Sequence, residues 1–155
     1  ITVKNCKFYY VANAFLACPR PKCEGGPTSD VLDNIIFSDN DIHHASRSVV
    51  VYIKGSNQST KGGVYSSLKH ADVLRNRLRN TGFRHLSSSW TSIPAINVNC
   101  PETCEIAGNI VDTSYGNGII TYGGKGSGSH NVVPLTRMLV HHNQLDNTML
   151  GCNVS

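Results

Sequence analysis

Four side chains that can transfer protons or bind anions recur at one position of a repeat in this 155-residue chain. His43, Arg79, Asp112 and Asp146 each stand three residues after an asparagine. A histidine and two carboxylates suit general acid–base catalysis, and an arginine can neutralise a uronate or stabilise developing charge. On stacked neighbouring strands, about 4.8 Å apart, two carboxylates would approach the roughly 5 Å separation of a retaining glycosidase pair.

The same residues also have a non-catalytic interpretation. Asp, Asn, Thr and His are common in turns because they form local hydrogen bonds there. Tyr9 completes the set in the first repeat, and we call Tyr9, His43, Arg79, Asp112 and Asp146 the polar row. The sequence leaves open whether the polar row is an acid–base site or a solvated surface of mixed charge.

The repeat that positions the polar row is clearest from Asn109 to Tyr122, NIVDTSYGNGIITY. The residues interpreted as strands are Ile110–Val111 and Ile119–Thr121, with a polar turn from Asp112 to Asn117 between them. The anchor residues are Cys6, Asn40, Asn76, Asn109 and Asn143, spaced 34, 36, 33 and 34 residues apart. Apolar residues stand two after and three before every anchor, which predicts inward-facing strands and no helical period.

Five copies of this kind predict an all-β solenoid in which each copy is one coil. The anchor asparagines would stack, and their amides would hydrogen-bond along the stack. The chain resembles the right-handed parallel β-helix superfamily, which includes the pectin lyase-like proteins and has three strands per coil with an asparagine ladder. The resemblance covers nearly the whole chain and concerns the fold more than the function.

Composition narrows the classes of protein and partner. The net charge is +4 and only 15% of residues are charged, without a basic run, so we expect no nucleic-acid partner. No apolar run approaches the roughly 18 residues of a membrane helix, so we expect no membrane insertion.

The cysteines and two sequons point to a secreted or cell-surface protein. Cys18 and Cys23 bracket PRPK, and Cys100 and Cys104 bracket PET. We read both pairs as loop disulfides and zinc as the competing interpretation, which the spacings do not favour. Asn57 and Asn153 begin the triplets NQS and NVS, which are acceptors for N-glycosylation.

Two adjacent histidine pairs, His43–His44 and His141–His142, are the remaining metal candidates. Neighbouring residues on a strand face opposite ways, which argues against a common ion. We therefore predict no metal and no cofactor.

The chain starts and stops in the middle of a coil, and a solenoid with uncapped ends is unfavourable in isolation. We expect residues 1–155 to be one β-helix segment of a longer chain, and its partners to include neighbouring segments of that chain or assembly. The alternative is a natural domain that its partners cap.

The resemblance extends to a branch of β-helix proteins whose coils read N-x-I-h-D-T-x-Y-x-G-I, here Asn109 to Ile119 with Asp112, Thr113, Tyr115 and Gly118 in register. Many of that branch are carbohydrate-active proteins that bind an extended polysaccharide along the solenoid. The resemblance implies Asp112, Asp146, His43, Arg79 and Tyr115 as site residues. The calcium-binding Asp cluster of lyases and the Asp-Pro-His-Glu signature of alginate epimerases are not found.

Two hypotheses follow from the sequence. The first is an extracellular domain that binds or processes a polysaccharide, as a hydrolase, lyase or epimerase; the polar row and the Trp90-bearing insertion from Thr81 to Pro94 favour it. The second is a non-catalytic structural module of an extracellular fibre, surface coat or adhesin. Uncapped ends, disulfides, sequons and the lack of a decisive catalytic motif favour the second.

Overall fold

A computed structural model of the protein describes residues 1–17, 31–46, 50–54, 67–82, 94–99, 101–122, 136–148 and 151–154. Several predictions from the sequence fall elsewhere: Cys18, Cys23, Asn57 and Cys100, together with most of the insertion that carries Trp90, lie outside the described residues. Within the described ranges all regular structure is β-strand. No helix there is long and apolar enough to cross a membrane.

The strands are short and follow one another in groups of three. They are β1 (Thr2–Lys4), β2 (Lys7–Tyr9), β3 (Phe15–Ala17), β4 (Val31–Ser38), β5 (Asp41–His43), β6 (Val51–Lys54), β7 (Ser67–Leu74), β8 (Arg77–Thr81), β9 (Pro94–Asn99), β10 (Pro101–Ala107), β11 (Ile110–Ser114), β12 (Asn117–Tyr122), β13 (Arg137–His141), β14 (Gln144–Thr148) and β15 (Cys152–Val154).

Each strand pairs in parallel with the strand three positions along the chain, which produces three five-stranded sheets. The first sheet has the order β1-β4-β7-β10-β13, the second β2-β5-β8-β11-β14, and the third β3-β6-β9-β12-β15. Every repeat therefore contributes one strand to each sheet. The prediction of an all-β repeat protein with parallel strands is confirmed.

The register of the sheets matches the sequence repeat. The apolar residues three positions before the anchors pair with one another on adjacent strands: Val3, Phe37, Val73, Ile106 and Val140. The apolar residues two positions after the anchors do the same: Phe8, Ile42, Leu78, Val111 and Leu145. The three central members of each set are fully buried, and the outer members pack against them. Burying such a side chain contributes roughly 1.5–3 kcal/mol, so these two columns bind adjacent repeats strongly together.

The anchor asparagines form the predicted ladder. Asn40 Nδ2 donates to Asn76 Oδ1 over 2.9 Å, Asn76 Nδ2 to Asn109 Oδ1 over 3.0 Å, and Asn109 Nδ2 to Asn143 Oδ1 over 2.9 Å. Each amide oxygen also accepts the backbone N–H of the anchor in the preceding repeat; at the first repeat, Cys6 N donates to Asn40 Oδ1 over 2.9 Å. The ladder thus satisfies buried polar groups that water cannot reach.

Two left-handed residues per repeat turn the chain from one sheet to the next. All ten have φ between +51° and +65°. The residues directly before the anchors are Asn5, Asp39, Arg75, Gly108 and His142. The residues four after the anchors are Tyr10, His44, Asn80, Thr113 and Asn147. For a residue with a Cβ this conformation costs roughly 1–2 kcal/mol. The ladder bonds beside the first set offset that strain.

The structure corrects two details of the sequence interpretation. Asp112 to Ser114 belong to β11, because the bend at Thr113 leaves Ser114 in register with Thr81 and Thr148. Residues 101–107 form β10 where we expected a loop, and alternation along this strand turns Cys104 into the core with 3% of its surface exposed. Cys104 is a free thiol there, so the predicted Cys100–Cys104 disulfide is not supported.

Candidate functional site

The second sheet brings the polar row together. Tyr9 is the register partner of His43, His43 of Arg79, Arg79 of Asp112, and Asp112 of Asp146. The residues one before them, such as Phe8 and Ile42, face the core, so alternation places the polar row on the outer face. Four of the five predicted site residues therefore occupy adjacent strands, each roughly 4.8 Å from the next.

One end of the polar row is aromatic. The rings of Tyr9 and His43 meet edge to face with centroids 5.7 Å apart, and Tyr10 stacks on His44 with centroids 4.9 Å apart. Tyr9 is 48% and Tyr10 78% exposed. Exposed aromatic faces beside polar groups are suited to stacking against a flat apolar ligand face.

Arg79 forms the centre of the row, and its partner is Asp41. The Arg79 guanidinium donates from Nη2 to both carboxylate oxygens of Asp41, over 3.0 and 3.2 Å, and the Tyr9 hydroxyl lies 3.5 Å from the same carboxylate. Arg79 Nε is buried without a hydrogen-bond partner in the described part of the chain. Arg79 is thus fixed toward the aromatic end by Asp41, and its Nε is an unsatisfied buried donor among the described residues.

His43 is poised to be neutral. Burial lowers the pKa of His43, the positive charge of Arg79 lowers it further, and the Asp41 carboxylate opposes both effects. Its Nδ1 lies 3.4 Å from Nδ1 of His44. A neutral imidazole at this place can accept a proton.

The other end of the polar row is acidic. The Thr113 hydroxyl donates to Asp112 Oδ1 over 3.0 Å, and Gln144 Nε2 donates to Asp146 Oδ2 over 2.6 Å. Asp112 is half-buried and Asp146 is exposed. Two carboxylates on adjacent strands, one held in the surface and one reaching solvent, present a negative end to the row.

Tyr115, the fifth predicted site residue, lies outside the polar row. It follows β11, and its backbone N–H donates to the carbonyl of Thr81 over 3.0 Å. Its side chain is 60% exposed. The structure brings it to the same repeat as Asp112 without a described contact between the two side chains.

The sequence reasoning missed the role of Asp41, which joins Tyr9 to Arg79. The available signal was its position two residues before His43, which places both on one face of β5. It also missed a cluster on the first sheet: His70 Nε2 lies 2.9 Å from Asp72 Oδ2, and His70 Nδ1 lies 2.7 Å from Thr103 Oγ1. His70 and Thr103 are 33 residues apart, one repeat period, so the spacing signalled this contact as well.

No three His, Cys, Asp or Glu side chains of the described ranges converge as a metal site. The comparisons with family models, curated proteins and solved structures find no match to this chain.

Proposed function

We propose that the chain is a right-handed parallel β-helix of five coils that binds or processes an extended glycan in the extracellular space. The glycan would lie across the strands of the second sheet, along the polar row. The observation that carries the proposal is the register of this row, because five chemically active side chains stand on five adjacent strands.

Each part of the row suits a different feature of an acidic polysaccharide. Tyr9 and Tyr10 offer exposed rings for the apolar face of a sugar. Arg79, whose side chain is 28% exposed, brings a positive charge that suits a uronate carboxylate. Asp112 and Asp146 supply an acid and a base on adjacent strands, as cleavage of a glycosidic bond would need.

Binding is tested by calorimetry with a polyuronate, such as polygalacturonate, and with a neutral glucan of equal length. We expect Arg79→Gln to weaken polyuronate binding at least tenfold, because a charge-assisted contact is lost. The matched control is Arg75→Gln, since Arg75 also pairs with an aspartate of the preceding repeat, Asp39, but lies outside the polar row. Equal binding by both variants, or a preference for the neutral glucan, would contradict the proposal.

Processing is tested separately from binding. Asp112→Asn should abolish cleavage or epimerisation of a polyuronate that the protein acts on, while affinity stays within a few-fold of the unsubstituted protein. Binding without turnover in the unsubstituted protein would leave a glycan-binding module and remove the catalytic part of the proposal.

A structural module is the second candidate function. Ion pairs and ladder bonds that join adjacent repeats favour it, including Asp33–Lys69 at 3.5 Å, Asp39–Arg75 at 2.7 Å and Asp41–Arg79 at 3.0 Å. These contacts suit a rigid rod in a fibre, surface coat or adhesin. Failure of every glycan in the calorimetric series would favour this role.

A further inference from the structure

The His141–His142 pair lies outside the polar row, at the end of β13 in the first sheet. Neighbouring side chains face opposite ways only where both residues have the extended backbone of a strand. His142 instead has a φ of +52°, and this left-handed bend turns the two rings toward each other. Their Nδ1 atoms are 2.7 Å apart.

Glu105 determines the tautomer of the pair. His141 Nε2 lies 3.0 Å from Glu105 Oε1, and an ionised carboxylate can only accept, so Nε2 carries a proton. In the neutral ring this leaves the lone pair on Nδ1, and His142 Nδ1 donates to it. A histidine whose far nitrogen is held by a carboxylate is the arrangement found behind metal ligands.

We propose that Nδ1 of His141 and Nδ1 of His142 chelate a divalent transition-metal ion, Ni²⁺ or Cu²⁺ by geometry, with Glu105 as the positioning residue. Two nitrogens 2.7 Å apart, each about 2.0–2.1 Å from an ion, subtend roughly 80° at it. That angle fits the square-planar or tetragonal geometry of Cu²⁺ and Ni²⁺ better than a tetrahedron.

Binding requires both rings to rotate from their hydrogen-bonded arrangement. The rings stand at 82° to each other, and rotation about their outer torsions directs both lone pairs at one ion. The Nδ1 proton of His142 moves to its Nε2 through solvent, so no charge is lost from the ring. The pair is solvent-exposed, and water or a bound ligand fills the remaining positions, since no third protein ligand of the described ranges converges there.

The His43–His44 pair provides an internal comparison. Its second residue is also left-handed, with a φ of +56°, but its Nδ1 atoms are 3.4 Å apart and Arg79 lies beside it. The wider separation and the Tyr10 ring stacked on His44 both oppose closure of this pair on one ion. We therefore assign the ion to His141–His142 only.

The test is calorimetric titration of Ni²⁺ into the full chain without a histidine tag. Ni²⁺ is used in place of Cu²⁺ because it does not oxidise free thiols. We expect His142→Asn to weaken Ni²⁺ binding at least tenfold and Glu105→Gln to weaken it about tenfold. Asparagine accommodates the left-handed backbone, so the fold should persist. The matched control, His44→Asn, should stay within twofold of the unsubstituted protein.

Two outcomes would overturn the assignment. One is Ni²⁺ binding by His142→Asn that equals that of the unsubstituted protein. The other is a larger loss in His44→Asn than in His142→Asn, which would place the ion on the second sheet. Circular dichroism of each variant verifies that the strands are retained.

Discussion

At the scale of single residues, Arg79 links the two ends of the polar row. Its guanidinium is held by Asp41, which also faces the Tyr9 hydroxyl, and its charge acts on His43. The repeat predicted that Arg79 lies between His43 and Asp112 in the polar row, but it did not predict that Arg79 forms an ion pair with Asp41. A long flexible side chain can reach diagonal neighbours on a sheet, so register alone does not determine its partner.

Replacement of Arg79 by glutamine should raise the pKa of His43. The variant removes a positive neighbour and leaves the Asp41 carboxylate uncompensated, and both changes favour the imidazolium. Burial persists, so the pKa should remain below its ordinary value of about 6.5. An NMR titration of the His43 ring measures the shift, and Arg75→Gln serves as the control. An unchanged His43 titration in Arg79→Gln would contradict this interpretation.

The lowered pKa of His43 in the folded protein makes the free energy of unfolding depend on pH. A histidine whose pKa is lowered by folding binds protons more weakly than in the unfolded chain. The free energy of unfolding therefore decreases as the pH falls through the unfolded-state pKa, about 6.5, toward the folded-state pKa. Arg79→Gln should make this decrease smaller.

At the scale of elements, the asparagine ladder was the most predictable feature. Equal spacing of the anchors placed them in register, and amides at the spacing of adjacent strands have few alternatives to bonding with each other. The left-handed residues were predictable only in part, because Asn, Asp, His and Gly favour positive φ whereas Tyr10, Arg75 and Thr113 do not. The strand identity of residues 101–107 was hidden by Pro101 and the paired cysteines, which favour a loop.

Asn76→Ala tests the contribution of the ladder. Asn76 is 1% exposed, and its loss removes the acceptor of Asn40 N, one of the two acceptors of Asn40 Nδ2 and a donor to Phe37 O. At roughly 1–3 kcal/mol for each buried unsatisfied group, we expect the free energy of unfolding to fall by about 3 kcal/mol or more. Denaturant titration provides the measurement.

Asn143→Ala is the matched control for this prediction. It removes the corresponding bonds to Asn109 N, Asn109 Nδ2 and Ile106 O, but Asn143 is only half-buried. Water can replace those partners, so the loss should be about 1 kcal/mol. Equal losses in the two variants would show that burial does not set the value of a ladder bond.

At the scale of the whole molecule, the core is one cluster of apolar side chains to which strands of all three sheets contribute. The sequence repeat predicted this core, because a spacing of 33 to 36 residues places equivalent apolar side chains on adjacent strands. Glycosylation at Asn57 and Asn153 remains a prediction. Asn153 lies in β15, the last strand of the third sheet.

Cys104 can report on the opening of this core. Burial raises the pKa of its thiol to about 12, so it should resist alkylation in the native protein at pH 8. Partial burial also raises the pKa of Cys152, but this thiol is exposed and should react first. Labelling of Cys104 should then occur only at the rate of global unfolding. Mass spectrometry after denaturation without a reductant checks the free thiol. Failure of Cys104 to label under those conditions would show that it is in a disulfide, and peptide mapping would then identify its partner.

The asparagine ladder has an electrical consequence. Asn40, Asn76 and Asn109 each donate to the next anchor, and all four anchor asparagines accept through Oδ1 from the repeat before, so the four amide carbonyls point the same way. Backbone groups of a strand alternate in direction, and their dipoles largely cancel. The ladder dipoles add, which gives the molecule a polarity along the direction in which its repeats are stacked.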